Sequence, residues 1–195
     1  MKLVISTQNS HKLVEIRQIF ETLSLPIVSF SEVLEGSFDF VEDGDTFSEN
    51  ALKKVAPFPD RSDLIYLADD SGLVVDALGG APGIYSARYA GPDATGTDMC
   101  QKILKELGGS ANRNAAFICA IALRFPTGRT QVVSGRCDGV ITSEIRGVEG
   151  FGYDPIFLPH GFDQTFAEMA SEQKNQLSHR SRALKAAEGL LRAFQ

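Results

Sequence analysis

Lys2-Leu3-Val4-Ile5-Ser6-Thr7-Gln8-Asn9-Ser10-His11-Lys12-Leu13 is the stretch that decides the fold class. Lys2–Thr7 reads as a short buried strand. From Leu13 onward, apolar residues recur at Ile16, Phe20 and Leu23, and spacings of three and four make a helix stripe. Asn9 or Ser10 stands where a short polar side chain can accept the helix's free amides. Strand, polar turn and helix, in that order, open an α/β protein.

The rest of the chain extends the pattern. Thr46-Phe47-Ser48-Glu49 fits a capping box, so a helix starts there, and Pro57 and Pro59 end it. Leu64–Ala68 is an apolar run of strand length, cut by Asp69-Asp70-Ser71-Gly72 and resumed at Leu73–Val75. Thr97 or Asp98 caps a helix carrying Cys100, Ile103, Leu104 and Leu107, which Gly108-Gly109 stops. Ala115–Phe125 and Thr130–Cys137 flank Pro126-Thr127-Gly128-Arg129 as a hairpin, and Val140–Thr142 adds a short strand. Ser178 caps a final helix with Leu184, Ala187, Leu191 and Phe194 on one face. There is no internal repeat and no linker. Residues 1–195 therefore read as one continuous domain, a mixed sheet with flanking helices.

Composition closes off several classes of function. The 195 residues carry 19 Lys and Arg against 25 Asp and Glu, a formal charge of −6. That balance argues against a nucleic-acid coat or a membrane-surface protein, since neither gains from net negative charge. Only Leu3-Val4-Ile5 precedes the polar run at Ser6, so a signal-peptide core is not expected. No apolar stretch reaches the length of a bilayer span. Cys100, Cys119 and Cys137 are odd in number and far apart, which disfavours a disulfide framework or a zinc site. They read as reduced thiols of a cytoplasmic protein. No Gly-Lys dipeptide exists, hence no Walker A loop, and HExxH and GxSxG are absent too.

Five features remain that chemistry can use. His11 and Lys12 sit in the first turn of the first helix, where a cation is unfavourable unless an anion binds there too. Thr7, Asn9, Lys12 and free amides would then form a phosphate cradle. His179, Arg180 and Arg182 repeat the oddity at the last helix, with Lys174 just before. On the Thr46–Ala56 helix, Phe47, Ala51 and Val55 share a face, and Asn50 and Lys54 fall at its edge. Lys53 falls further round, where it can pair with Glu49 in water, so Lys54 is the lysine that points inward. Asp69 and Asp70 are neighbours on a strand and face opposite ways, so they do different jobs. One of them, with the acidic stretch Glu42-Asp43-Gly44-Asp45, suits a metal ion and an activated water. In Phe151-Gly152-Tyr153-Asp154-Pro155, glycines beside aromatics let a flat base stack while Asp154 accepts a hydrogen bond. Each feature has a plain alternative: an exposed lysine, an exposed C-terminal helix with stray charges, a snorkelling lysine, a DDSG turn, an aromatic loop closing the core. Together they suit a nucleoside triphosphate with Mg²⁺, because the polyanion needs cations, the metal carboxylates and the base stacking.

With these residues in hand, the sequence resembles the inosine triphosphate pyrophosphatases, the non-canonical purine NTP pyrophosphatases. The resemblance runs through the Thr7–Lys12 turn, Thr46–Ala51 with Lys54, and Ala68–Leu73. It continues through Gly79–Gly83 to Tyr85–Tyr89, Gly150–Pro155, and Ser178-His179-Arg180. It implies an elongated α/β fold of a mixed sheet flanked by helices, with two lobes and a central substrate cleft. It further implies a cytoplasmic homodimer that uses Mg²⁺ to hydrolyse ITP, dITP and XTP to the monophosphate and pyrophosphate. Such an activity clears deaminated purines from the nucleotide pool.

Position by position, the resemblance makes Thr7, Gln8, Asn9, Ser10, His11 and Lys12 a phosphate loop. Asp70 is implied as proton acceptor and metal ligand, Glu42 as a second acidic metal position, and Ser71 as a substrate contact. Lys54 matches a catalytic lysine, and Phe151, Gly152, Tyr153 and Asp154 a base and sugar slot. Lys174, His179 and Arg180 are implied as base-reading and substrate-binding residues. A donor such as Arg180, or a backbone N–H near His179, would reward the 6-keto oxygen of hypoxanthine and xanthine and be left unpaired by adenine. Gln8 stands where the family usually has glycine, which implies an ordinary backbone angle or a side chain turned away. A nucleotide sensor without turnover and a purely structural module are the rival classes.

Overall fold

The computed structural model describes residues 1–33, 40 and 42–194. Its centre is a six-stranded mixed sheet of order β2-β1-β3-β4-β5-β6. The strands are β1 (Lys2–Ile5), β2 (Ile27–Ser29), β3 (Leu64–Val75), β4 (Asn114–Arg124), β5 (Thr130–Ile141) and β6 (Phe157–Pro159). The helices are α1 (Ser10–Ile19), α2 (Phe30–Val33), α3 (Phe47–Val55), α4 (Gly96–Leu107), α5 (Ser171–Leu177) and α6 (His179–Phe194). β1 pairs in parallel with both β2 and β3, and β5 pairs antiparallel with β6. Among the described residues, no helix is long and apolar enough to cross a membrane, and the three cysteines are buried and form no disulfide.

The chain folds into two compact units. Met1–Asp70, Cys119–Gly135 and Arg180–Gln195 form the first, and Ser71–Ile118 and Arg136–His179 the second. In the first unit, strand alternation sorts the apolar side chains onto two faces. Leu3, Ile5, Ile65 and Leu67 pack with Ile16 and Phe20 of α1 and with Leu184, Ala187 and Leu191 of α6. Val4, Leu64, Tyr66 and Ala68 pack with Ala51 and Val55 of α3 and with Phe58. In the second unit, Leu73, Val75, Phe117, Cys137 and Phe157 pack with Cys100, Ile103 and Leu107 of α4.

Three expectations change. β3 runs unbroken through Asp69-Asp70-Ser71-Gly72, where the sequence suggests a turn. Each aspartate meets cations or amides on its own face, so the strand does not have to turn them to water. α4 starts at the Thr95 cap rather than at Thr97 or Asp98, because the Asp98 carboxylate reaches back to the Thr95 amide at 2.8 Å. Glu49 accepts from the Asp45 amide at 2.8 Å, and Lys53 pairs with Asp43 instead of Glu49.

Candidate active site

The pleat of β3 assigns its two aspartates. Asp69 continues the Ile65–Leu67 face, toward α1 and α6. Asp70 continues the Leu64–Tyr66–Ala68 face, toward α3.

Asp69 is fully buried. Its Oδ2 accepts from Lys12 Nζ at 3.1 Å and from Arg180 Nε at 3.2 Å. Arg180, the largest fully buried side chain among the described residues, also pairs with Glu15 of α1. Burial alone would raise the Asp69 pKa, but Lys12 and Arg180 outweigh it and hold the carboxyl well below the usual range. Burial likewise disfavours charge on Arg180, and Asp69 and Glu15 reverse that too. Arg180 thus ties α6 to β3 and α1. Glu15 enters without any signal in the sequence, since 165 residues separate it from Arg180.

On the other face Asp70 meets α3. Its Oδ1 receives Lys54 Nζ at 2.8 Å and its Oδ2 receives Asn50 Nδ2 at 3.2 Å. Lys54 Nζ also reaches Glu42 Oε1 at 2.6 Å and the Asp69 carbonyl at 3.1 Å. Two carboxylates therefore converge on one ammonium whose residue is only 6% exposed. Burial penalises charge on both partners. On Lys54 the carboxylates of Asp70 and Asp69 prevail and its pKa rises. On Asp70 the neighbouring cations do not offset burial and the nearby Glu42, so its pKa rises as well. The helix-face argument that separates Lys54 from Lys53 agrees with this placement. Asn50 is buried and belongs to the same cluster, although the sequence marks it only as the edge of a face.

The turn before α1 is closed on itself. Asn9 is the cap, and its Oδ1 accepts from the His11 amide at 3.0 Å and the Lys12 amide at 3.2 Å. Thr7 Oγ1 accepts from the Asn9 amide at 3.2 Å. The amides expected to be free are thus covered by Asn9, and the Lys12 ammonium rests on Asp69. Gln8, Asn9, Ser10 and His11 are exposed and Thr7 is half-buried. No described residue other than glycine has a positive φ, so Gln8 has ordinary backbone geometry.

The second unit holds a second cluster. Asp154 Oδ2 accepts from Lys174 Nζ at 2.7 Å and from the Phe151 amide at 2.8 Å. The Lys174 ammonium lies 5.0 Å from the centre of the Phe151 ring. His179 stacks on Phe117, with centroids 4.6 Å apart and planes 10° apart. Gly150 must be glycine: its φ is +73°, and a Cβ there would lie 2.2 Å from Asp154 Oδ2. Gly152 is half-buried, and its carbonyl accepts from Cys100 Sγ at 3.3 Å. Tyr153 is buried and its hydroxyl donates to the Ser86 carbonyl at 2.9 Å. Phe151, half-buried, is the ring of the motif that keeps an accessible face. Ser71 is half-buried in β3 beside Asp70.

A mixed-sheet α/β protein with a buried carboxylate–ammonium cluster is thereby defined. The chain belongs to the Ham1 family, whose model matches residues 3–189. A protein of Desulfotalea psychrophila named dITP/XTP pyrophosphatase is 45% identical over 183 residues, 93% of this chain and 81% of its own. One of the same name from Leuconostoc mesenteroides is 47% identical over 189 residues, 94% of this chain and 93% of its own. The solved structure of the Staphylococcus aureus Ham1 protein is 38% identical, covers 100% of both chains and has a TM-score of 0.88. The family and the α/β fold expected from the sequence are both borne out.

Proposed function

We propose that the protein is a pyrophosphatase of non-canonical purine nucleoside triphosphates. It hydrolyses ITP, dITP and XTP to the monophosphate and pyrophosphate. The name shared by its relatives supports the reaction, and one observation supports its location: the Asp70 and Glu42 carboxylates lie at 2.8 and 2.6 Å from the same Lys54 ammonium.

The carboxylates of Asp70 and Glu42, brought close by their shared contact with Lys54, offer hard oxygens of the kind Mg²⁺ takes, one or two carboxylates with water and phosphate completing its shell. Asp70 and Glu42 would hold it. When bound, Mg²⁺ neutralises charge developing on the phosphoryl oxygens. The remaining work falls to the chain's own groups. Asp70 takes the proton of the attacking water, a task its raised pKa favours. Lys54 stabilises the negative charge around Asp70, and Lys12 with the Thr7–Lys12 turn takes phosphate. For that, the Asn9 side chain gives up the His11 and Lys12 amides to the anion.

The second cluster takes the base. Phe151 offers the stacking face, with Gly152 leaving room for close approach. Asp154 and Lys174 offer an acceptor and a donor, and the backbone near His179 reads the 6-keto oxygen. Residues 1–195 act as a single functional domain, as a homodimer in the cytoplasm, and neither nucleic acid nor a membrane is a partner.

The test separates products from dITP, XTP, ATP and GTP, each with Mg²⁺ and with EDTA. Pyrophosphate from dITP and XTP, lost with EDTA, is the expected result. Orthophosphate as first product would overturn the bond assignment. Binding without turnover would favour the sensor.

A further inference from the structure

Asn50 makes two hydrogen bonds that chemistry orients without ambiguity. The Gly44 amide can only donate, so Asn50 Oδ1 faces it at 2.8 Å. The Asp70 carboxylate can only accept when ionised, so Asn50 Nδ2 faces it at 3.2 Å. Asn50 is wholly buried. Gly44 is pressed against it so closely that a Cβ at position 44 would lie 2.8 Å from Asn50 Oδ1. One helical turn on, Lys54 shares Asp70 with Asn50 and joins its Oδ1 to Glu42, two residues before Gly44. The two oxygens of Asp70 are thus held separately, one by an amide and one by an ammonium. The segment carrying Glu42 is tied to α3 twice, once through its backbone at Gly44 and once through Glu42 itself.

We propose that Asn50 is the positioning residue of this cluster: its amide fixes the orientation of the Asp70 carboxylate and, through Gly44, the placement of Glu42 beside it. The proposal rests on the functional reading above. Asn50 is wholly buried and acts through Asp70 and Glu42. Lys54 alone leaves Asp70 free to turn about the Oδ1 contact. The Asn50 bond to Oδ2 removes that freedom. Partners that orient metal-holding carboxylates typically carry a 10–100-fold effect on metal affinity or activity.

The test compares wild type, Asn50→Ala and Gly44→Ala. Asn50→Ala removes both bonds. Gly44→Ala keeps the amide but displaces it, and Gly44 has no positive φ to complicate the change. Four quantities are read: kcat and KM for dITP with Mg²⁺, Mn²⁺ affinity of the nucleotide-free protein by electron paramagnetic resonance, and Tm. In Asn50→Ala, kcat should fall about 10–100-fold and Mn²⁺ bind about 10–100-fold more weakly. The KM for dITP should change far less, because no phosphate or base contact is lost. Gly44→Ala should move kcat and Mn²⁺ affinity in the same direction.

Wild-type kcat and Mn²⁺ affinity in Asn50→Ala, whether or not Tm falls, would overturn the proposal and leave Asn50 a packing residue. If Asn50→Ala does not fold, wild-type values in Gly44→Ala overturn it instead. The Mn²⁺ readout needs no turnover. A wild-type protein that releases no pyrophosphate yet binds Mn²⁺ would sink the functional reading while Asn50 is still decided. One that does neither overturns both.

Discussion

Asp69→Asn and Asp70→Asn should give opposite phenotypes, although the two substitutions are neighbours and isosteric. Asp69 faces Arg180, which is 2% exposed, and shares Oδ2 between it and Lys12. Removing one partner of a buried ion pair costs about 3–5 kcal/mol. Glu15 remains on Arg180, which places Asp69→Asn at the lower end, about 3 kcal/mol. For a chain of this size, about 2–4 °C of Tm accompanies each kcal/mol, so the expected fall is about 6–12 °C.

Asp70 is different. Burial already disfavours its charge, and Lys54 keeps Glu42 and the Asp69 carbonyl when that charge is removed. The loss is then limited to the Asn50 contact, about 1 kcal/mol or about 2–4 °C. Turnover behaves the other way. Asp70→Asn removes the proposed proton acceptor and should lower kcat by about 10²–10⁴-fold. Differential scanning calorimetry and pyrophosphate release, run on the same preparations, check both. Equal Tm losses in the two variants, or a wild-type Tm in Asp69→Asn, would refute the sorting of the aspartates by strand face.

Lys53→Met should leave stability within about 0.5 kcal/mol of wild type and turnover intact, since Lys53 is exposed and pairs with exposed Asp43. Lys54→Met should abolish turnover and lower Tm in a thermal melt, because Asp70 and Glu42 lose their shared cation. Gly150→Ala should cost about 1–3 kcal/mol from its positive φ. It should also raise the KM for dITP by displacing Asp154 from Lys174, as read by calorimetry and steady-state kinetics. Acid should act through Asp69. Its folded pKa is depressed, so its stabilisation is complete above the unfolded value of about 3.9 and is lost as pH falls through the folded value. Urea midpoints of wild type and Asp69→Asn should therefore converge as pH falls below about 4.

Elements with strong periodicity are legible in the sequence. The α1 stripe, the α6 stripe and the β4–β5 hairpin are all in place, and the lysine of α3 that points inward is legible from helical geometry alone. Short elements escape such a reading. β2, β6 and α2 have three or four residues, too few for any period to show, and α5 carries no apolar stripe. The aspartate pair is legible as two residues with two jobs, but not which does which, because assigning a face requires knowing which helix covers it. Arg180 is the instructive case. Its charge at a helix start is legible, but its carboxylate partners, Asp69 and Glu15, are brought together only by tertiary packing.

The most direct measurement is the ratio of kcat/KM for dITP over dATP, with pyrophosphate identified as the product. The account predicts a preference for dITP of more than about 100-fold, since a site that hydrogen-bonds a 6-keto oxygen leaves its donor unpaired against an amino group. Comparable turnover of dATP would contradict it.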